Sequence, residues 1–427
     1  MDIAEQLLDL SRQAGAELAE VYQSKSLSRP IFFEANRLKQ LESAQGEGIA
    51  LRLWKNGKPG LAVAYGPVNP QILVEKTLAI SELNDPETPQ VNGGNQKQYP
   101  DLGTPIKTEQ LLEMGRHSIQ MLRSDFPDIV CSSQWDCESE SLRLVNSLGL
   151  DWSYTDTTMS AYLGAEWIRG DDFLSVADGQ TDRAELHAEG MVSHIFQRLN
   201  WARNNVSPPI GRVPVLFTAK AADLLWETVQ AAINGKQVIE RASPWSDRLG
   251  QQVISKQLTL SQLPTEGPFS CPFDDEGTPT RKLKLIDRGV LQLFYADKTV
   301  GALLGSGSTG NGVRSSLGSY PSPGLMNLSI APGKQSLLEM ISQVDEGLII
   351  DQVLGSGAGI AGDFSVNVDL GYRIRRGEVV GRVKDTMVSG NAYLALKNII
   401  ALGNDADWSE PCSTPSILVD GLSVTSR

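Results

Sequence analysis

Clusters of basic residues are missing from this 427-residue sequence, and acidic residues predominate. Its 38 Lys and Arg residues are outnumbered by 51 Asp and Glu residues, which gives a formal net charge of −13. A protein that binds the phosphate backbone of a nucleic acid needs grouped basic side chains to displace counterions. The sequence therefore predicts no direct nucleic-acid binding, whereas contact with a basic protein or peptide stays compatible with it.

Cysteine is also rare, with four residues in the whole chain. Cys131 and Cys137 fall in one strand-like segment, PDIVCSSQWDCES. Six residues of strand span ~20 Å, which is beyond the reach of a disulfide. Together with Cys271 and Cys412, these residues are expected to be free thiols in a reducing compartment.

Long hydrophobic runs are absent as well. No run approaches the ~20 residues that a membrane-spanning helix needs. The N-terminal segment MDIAEQLLDLSRQ is acidic and amphipathic, and it lacks the basic start and apolar centre of a secretory signal. The sequence thus predicts a cytoplasmic protein that does not contact a membrane.

Three histidines limit the metal sites that the chain could build. His187 and His194 are seven residues apart in a helical segment, so their Cα atoms are expected ~10.5 Å apart. Zinc–nitrogen bonds of ~2.0–2.1 Å make joint ligation across two turns difficult. We therefore expect ordinary histidines, with no metal and no cofactor in this chain.

Glycine occurs with G-x-G-x-x-G spacing at residues 305–310 and 357–362. This spacing binds dinucleotide phosphates only where it joins a strand to the start of a helix. Neither segment is followed by helical periodicity, so both are predicted to be turns.

The periodicity of apolar residues separates helices from clusters of strands. Helical spacing recurs at residues 3–16, 70–83, about 107–124 and from Ala184. Asn56-Gly57 joins two alternating runs and predicts a tight hairpin turn. Strand-like runs dominate the second half, and no regular βαβ alternation appears. We therefore predict a two-domain α+β fold with antiparallel sheets, segregated helices and a β-rich C-terminal half.

The paired prolines in ARNNVSPPIGRVP interrupt all periodicity and mark a domain boundary. They predict an N-terminal α+β domain at residues 1–207 and a C-terminal β-rich domain at residues 208–427. A Pro-, Gly- and Asn-rich stretch at about 84–106 is predicted to be a linker or surface loop within the first domain.

Two segments of the second half, a helical one and an acidic one, have patterns that suggest a structural or a binding role. In LLWETVQAAINGK, Leu225, Val229 and Ala232 have the spacing of one packed helix face, which predicts a structural helix from Ala221 to Ile233. The segment CPFDDEGTPTRKL forms an acidic turn. Such a turn can bind a cation or the amine end of a peptide, but most acidic turns are only solvated.

Several segments in a fixed order resemble the TldD/PmbA family, whose members are often labelled modulators of DNA gyrase. They cover nearly the whole chain and include NGKPGLAVAYG, VPVLFTAKAADLLWETVQAAINGKQV, FDDEGTPTRKLKLIDRGVLQ, GSTGNGVR and GAGIAGDFSVNVDLGYRI. The resemblance implies a metalloprotease made of two related chains. In its metal-bearing TldD type, one helix carries His-Glu-x-x-x-His, and a cysteine near the C-terminus is a further ligand.

The positions of that motif are occupied here by Trp226, Glu227 and Ala231, so both ligand histidines are missing. Cys412 does not have the spacing of the C-terminal ligand. The sequence is therefore similar to the PmbA type, also called TldE, which is the partner without the motif. The resemblance implies no catalytic residue and no metal in this chain, and zinc or another divalent metal in the partner.

The resemblance also suggests substrate-binding residues, because the most distinctive segments of the family are expected to line a shared cavity. The candidates are Asp274, Glu276, Thr309, Asn311, Asp363 and Phe364. The amide of Asn311 offers both a donor and an acceptor to a peptide backbone. An alternative is that Ser308–Gly312 and Gly362–Phe364 serve only as tight turns.

The leading hypothesis is a subunit that completes the substrate cavity of a TldD-like partner, and the complex acts on peptides or unfolded segments. The chain is expected to form either a heterodimer with that partner or a homodimer with a second copy of itself. An alternative is a non-catalytic peptide-binding or assembly protein that captures peptides as a dimer at its sheet edges. A hydrolase that acts alone is the weakest hypothesis, because no nucleophile–base pair is visible.

Overall fold

The computed structural model describes residues 2–355, 357–409 and 411–426. The helices of these residues are α1 (Ile3–Gln13), α2 (Pro70–Glu82), α3 (Thr108–Asp125), α4 (Ala188–Trp201), α5 (Asp223–Ala232), α6 (Gly235–Ile239), α7 (Lys298–Leu304), α8 (Leu337–Ser342) and α9 (Ala392–Lys397). None of them is long and apolar enough to pass through a membrane.

The strands up to the second half are β1 (Leu18–Ser28), β2 (Ile31–Glu34), β3 (Arg37–Leu41), β4 (Ala44–Lys55), β5 (Lys58–Tyr65), β6 (Gln96–Gln98), β7 (Val130–Asn146), β8 (Asp151–Arg169), β9 (Asp172–Asp182) and β10 (Asn205–Val206). The later strands are β11 (Gly211–Phe217), β12 (Leu260–Gln262), β13 (Leu283–Asp287), β14 (Val290–Leu291), β15 (Gly312–Val313), β16 (Ser322–Pro323), β17 (Leu328–Ile330), β18 (Glu346–Leu354), β19 (Asp363–Arg375), β20 (Glu378–Val383), β21 (Thr386–Asn391), β22 (Ile399–Leu402), β23 (Asp407–Ser409), β24 (Cys412–Thr414) and β25 (Ile417–Ser426).

The first sheet is organised around the long strand β7. One edge of β7 pairs with β1 and β2, and the other edge pairs with β8, which continues to β9. The predicted hairpin of β4 and β5 is present, and Asn56 and Gly57 have φ values of 56° and 70°. Both residues thus adopt the left-handed conformation that a tight primed turn requires.

The second sheet closes on itself. Strand β19 pairs with β18 along one edge and with β21 along part of the other edge. Because β18, β11, β25 and β21 are also paired in succession, these five strands form a closed ring. The third sheet has the order β14-β13-β12-β17-β24-β23. Its first four strands belong to the long connection between β11 and β18, whereas β24 and β23 come from the C-terminal part of the chain.

The predicted α+β class is confirmed, with helices segregated from mainly antiparallel sheets and a β-rich C-terminal half. Four strand pairs are nevertheless parallel, which the sequence analysis did not predict: β6–β8, β10–β20, β11–β18 and β17–β24. Parallel neighbours need a long crossover connection. The connection between β11 and β18 supplies one, because it contains four helices and most of the third sheet.

Helix α4 begins four residues later than predicted, at Ala188 instead of Ala184. The Asp182 carboxylate accepts hydrogen bonds from the backbone N–H groups of Ala184 and Glu185, and the Gln180 side chain accepts one from His187. These side chains satisfy the backbone in a non-helical conformation, and the helix therefore starts only after them. The predicted turn at Gly305 is confirmed, because this residue ends α7 in the left-handed conformation.

One hydrophobic core runs across the predicted domain boundary at residue 208. It includes Trp135, Leu163 and Val192 before the boundary and Leu216 and Tyr372 after it, all fully buried. Strand β10, which precedes the boundary, also pairs with β20. The two segments are thus packed against each other, and the division into two domains stays a prediction.

A buried ion network joins the two halves beside this core. Arg198, on α4, forms ion pairs with Asp178 of β9 at 3.3 Å and with Asp351 of β18 at 2.9 Å. The other carboxylate oxygen of Asp351 accepts a hydrogen bond from Thr218, and that of Asp178 contacts Nδ1 of His194. One arginine therefore neutralises a carboxylate from each half of the chain.

Replacement of Arg198 by Met is expected to lower the free energy of unfolding by about 3–5 kcal/mol, because two carboxylates would stay buried without their shared cation. Urea denaturation at neutral pH measures the loss. Arg212 is exposed, so Arg212→Met is a matched control that should change the free energy by less than about 0.5 kcal/mol. A loss below about 1 kcal/mol for Arg198→Met would contradict the proposed importance of this network.

Candidate functional site

Helix α5 is the helix that carries the motif positions, and it lies in the core of the second half. The predicted packed face is confirmed, because Leu225, Val229 and Ala232 are all fully buried. Trp226 is also fully buried, and its indole N–H donates a hydrogen bond to the Thr414 hydroxyl over 2.7 Å. The space beside this turn of the helix is therefore filled by an aromatic ring that is bonded to β24.

The residues at the motif positions do not fit a metal ion. The indole N–H of Trp226 is a donor only, so it has no lone pair for a metal, and the methyl group of Ala231 has none either. Glu227 is exposed beside Gly357, and neither Trp226 nor Ala231 offers a ligand next to it. Within the described ranges, no group of three His, Cys, Asp or Glu side chains is arranged to hold a metal.

Cys412 lies close to the start of this helix. It is buried on β24, two residues before Thr414, and its thiol contacts the carboxylate of Asp223 at the start of α5. Burial and this carboxylate raise the pKa of the Cys412 thiol well above its ordinary value. Because metals bind the thiolate form, the surroundings of Cys412 disfavour its use as a ligand. All four cysteines are free.

The acidic turn is buried, and its carboxylates accept hydrogen bonds from the backbone around it. Asp274 accepts them from the N–H groups of Glu276, Thr278 and Gly312 at 2.8–3.1 Å. Glu276 accepts one from the N–H group of Lys298, whose ammonium group in turn bonds the Glu276 carbonyl. These contacts shape the turn and attach it to the start of α7.

Burial raises the pKa of both Asp274 and Glu276. It raises the pKa of Asp274 to about 6, although the backbone hydrogen bonds act in the opposite direction. It raises the pKa of Glu276 to about 7, with a further contribution from the nearby Asp274. Both groups therefore change charge close to neutral pH, where an exposed carboxylic acid is fully ionised.

The middle residue of the turn, Asp275, faces the first sheet. Its carboxylate accepts a hydrogen bond from the backbone N–H of Arg314 over 2.7 Å. The Arg314 guanidinium lies over the ring of Tyr22 and 3.4 Å from the carboxylate of Glu20, which also pairs with Arg52 at 2.8 Å. The acidic turn is thus held against β1 and β4 by a buried ion cluster.

Thr309 and Asn311 belong to the same buried assembly. The Thr309 hydroxyl donates a hydrogen bond to the side-chain oxygen Oδ1 of Asn311 over 2.7 Å. The side-chain NH₂ group of Asn311 donates to the Gln262 side chain and to the carbonyl of Gly324. Gly312, the next residue, is the one whose N–H binds Asp274. The structure therefore brings four of the six predicted substrate-binding residues together. Their polar groups, however, form hydrogen bonds with other groups of the same chain.

Asp363 and Phe364 lie elsewhere, at the start of β19. Phe364 is buried in the core, whereas Asp363 is exposed and accepts a hydrogen bond from the Asn391 amide over 3.0 Å. Among the six candidates, only Asp363 reaches the surface. A role of any of these residues in substrate binding stays a prediction.

Glu20, Arg52 and Arg314 also belong to this cluster, although the sequence did not reveal them as site residues. A signal was present for Glu20, because it lies between the apolar residues Ala19 and Val21, and a charge that is buried among apolar residues needs a partner. The partner could not be found from spacing, because Arg314 is 294 residues away along the chain.

The chain is similar to known proteins over its whole length. Residues 210–426 match the family described as PmbA/TldA metallopeptidase C-terminal domain, and residues 19–79 match PmbA/TldA metallopeptidase domain 1. A protein from Haemophilus influenzae named Metalloprotease PmbA homolog is 23% identical, over 98% of this chain and 94% of that protein. Metalloprotease TldD homolog from the same organism is 29% identical, over 58% of this chain and 49% of its own length.

The fold is similar to that of a solved structure. The crystal structure of TldE from Thermococcus kodakarensis superposes with a TM-score of 0.90 at 24% identity and covers 100% of both chains. This likeness confirms the arrangement of sheets and helices, and the sequence matches confirm the family to which the quoted segments pointed.

Trp226 is predicted to stabilise the fold. Trp226→Ala should lower the free energy of unfolding by about 3–5 kcal/mol, because it leaves a large cavity in the core. Thr414→Val should cost about 1–3 kcal/mol, because the buried indole N–H loses its acceptor. Urea denaturation measures both losses. Leu249→Ala, at an exposed position, is the control, and a loss for Trp226→Ala as small as the control's would refute the structural role.

Glu276 is predicted to make stability depend on pH. Its pKa is raised in the folded state, so its contribution is fully present below the unfolded pKa of about 4.5 and is lost as the pH rises through about 7. The loss is on the order of 3 kcal/mol. Glu276→Gln should remove this part of the pH dependence in urea denaturation between pH 4.5 and 8. Glu266→Gln, at an exposed position, should leave it as in the wild type, and identical profiles for the two variants would contradict the prediction.

Proposed function

Because the chain belongs to the PmbA/TldA metallopeptidase family, we propose that it is the subunit without a metal in a two-chain metallopeptidase. Its partner is a TldD-like chain that carries zinc or another divalent metal. The substrates are peptides or unfolded segments, and the complex acts in the cytoplasm. In this role the chain completes the substrate cavity and stabilises the catalytic subunit.

The observation that carries this proposal is the replacement of ligand chemistry on helix α5. Trp226 contributes an indole group that is buried and bonded to Thr414, and Ala231 contributes a methyl group. In a metallopeptidase, a bound metal lowers the pKa of the water that attacks the peptide at neutral pH. The exposed Glu227 cannot supply that function alone, so the activated water has to come from another chain.

The geometry also supports a division of labour among the predicted substrate-binding residues. Asp274, Glu276, Thr309 and Asn311 give a rigid shape to the acidic turn and its neighbouring loop through their mutual and backbone hydrogen bonds. Asp363 is exposed and is therefore the candidate for direct contact with a peptide or with the partner. In this proposal the buried residues position the cavity wall.

Peptidase activity is expected only when this chain is mixed with a metal-bearing TldD-like relative, because that relative supplies the activated water. The measurement is turnover of an unstructured, fluorescence-quenched peptide by each chain alone and by the equimolar mixture. Size-exclusion chromatography with light scattering determines whether the two chains form a complex. Chelator treatment should abolish the activity of the mixture.

Two controls make this experiment decisive. Elemental analysis of the separate chains should find metal in the relative and no stoichiometric metal in this chain. Asp363→Lys should weaken turnover or complex formation without changing the melting temperature, since the residue is exposed. Chelator-sensitive cleavage by this chain alone would refute the proposal. A stable complex that binds peptide but never cleaves it would favour the alternative of a non-catalytic peptide-binding protein.

A further inference from the structure

A groove with a volume of about 550 Å³ lies between helix α3 and the β2–β3 hairpin. Phe33, Leu38 and Ile119 form its apolar floor, and Arg116, Gln120 and Arg123 contribute polar groups to its wall. We refer to it as the α3–hairpin groove. It shares no residue with the acidic turn or with helix α5.

The groove is built from parts that hold their positions. A Cβ atom on Gly115 would lie 2.5 Å from the Phe33 ring and 2.8 Å from the indole nitrogen of Trp135, so α3 packs tightly on the hairpin and on β7. The turn of the hairpin is attached to β7 by Asn36, whose side-chain oxygen accepts a hydrogen bond from the N–H of Cys131 over 2.7 Å. The groove is therefore largely formed before any ligand arrives, as is usual for binding sites.

The spacing of residues on α3 gives the groove a simple pattern. Arg116, Ile119 and Arg123 follow one another at i, i+3 and i+7, so they share one face of the helix, and the arginine Cα atoms are ~10.5 Å apart. An apolar side chain thus lies between two guanidinium groups. Arg116 and Arg123 are both exposed.

The charges of these two arginines are not neutralised within the described part of the chain. Neither of them forms an ion pair there, and Arg123 donates only to the Pro127 carbonyl, over 3.3 Å. The chain as a whole has a net charge of −13, yet this groove carries two arginines without an acidic partner among the described residues. Guanidinium groups bind carboxylates with charge-assisted hydrogen bonds.

We propose that the α3–hairpin groove binds an acidic segment of a partner protein, in which one apolar side chain lies between two carboxylates. In an extended segment, residues i, i+2 and i+4 point to the same side, and the outer two are ~13–14 Å apart. Arginine side chains are long enough to bridge the difference from their own ~10.5 Å spacing. The central side chain then covers Ile119, Leu38 and Phe33, while each carboxylate meets one guanidinium group.

This binding is independent of the peptidase role and can be tested on the full-length chain alone. The probe is a fluorescein-labelled peptide that contains Glu-Ser-Phe-Ser-Glu between glycines, and its binding is followed by fluorescence anisotropy at low and at physiological salt. We expect saturable binding that weakens with added salt. Peptides with Lys-Ser-Phe-Ser-Lys or Glu-Ser-Ser-Ser-Glu should bind at least about tenfold more weakly, since each lacks one of the two recognition elements.

Variants of the protein test whether the peptide binds in the α3–hairpin groove. Arg116→Glu combined with Arg123→Glu should weaken binding of the Phe-containing acidic peptide by about tenfold or more. Leu38→Gln should weaken binding of this peptide but should hardly change the weak binding of the serine peptide. The matched control is Arg212→Glu combined with Lys256→Glu, which makes the same change of net charge at two exposed residues outside the groove. Thermal melting shows whether every variant is folded.

Three results would overturn the proposal. The first is no saturable binding of the Phe-containing acidic peptide up to millimolar concentration. The second is equal binding of the serine peptide, which would indicate only general attraction to positive charge. The third is equal weakening by the groove variant and by the charge-matched control. None of these results depends on whether a metal-bearing partner exists or whether the complex cleaves peptides.

Discussion

The carboxylate of Glu20 is buried in the first sheet, and its neutralisation determines how the two halves of the molecule meet. A buried carboxylate needs a cation and hydrogen-bond donors, because its desolvation otherwise costs several kcal/mol. Arg52 comes from the neighbouring strand β4, whereas Arg314 comes from a loop of the second half. The backbone of that loop also binds Asp275. These contacts therefore hold the acidic turn and its loop against the first sheet in an arrangement that pairs the buried charges.

The same requirement explains why so many polar residues of the most distinctive segments are buried. Asp274 and Glu276 accept hydrogen bonds from backbone N–H groups, and Thr309 and Asn311 bond each other and their surroundings. Loops with few apolar residues cannot be held by hydrophobic contacts alone, so hydrogen bonds take over that role. Burial raises the pKa of two of these carboxylic acids, Asp274 and Glu276, which makes this region sensitive to pH near neutrality.

Helix α5 is a packing element, and the residues at two of its positions explain why. An indole group fills the space beside its first turn and is fixed by Thr414, so the helix becomes part of the core. Cys412 lies on the same strand as Thr414 but meets Asp223 at the start of the helix. The surroundings of α5 therefore favour packing over metal ligation, which agrees with the proposed role of a subunit without a metal.

Local features were predictable from the sequence because they depend on residues that are neighbours along the chain. The packed face of α5, the Asn56-Gly57 turn and most helices follow from side-chain periodicity and turn chemistry. The absence of histidine ligands at positions 226 and 231 is likewise a property of residue type. The late start of α4 was missed, because the side chains of Asp182 and Gln180 compete with the helix for its first N–H groups.

Only the tertiary structure decided which predicted site residues are buried and which charges form pairs. The sequence of the acidic turn does not reveal whether its carboxylates are solvated or buried, since both cases have the same local residues. Glu20 and Arg314 are separated by 294 residues, and the parallel partners β11 and β18 by more than a hundred. Such contacts depend on how whole sheets pack and on the need to pair every buried charge. That need is a property of the assembled molecule, because burial itself exists only after distant segments have come together.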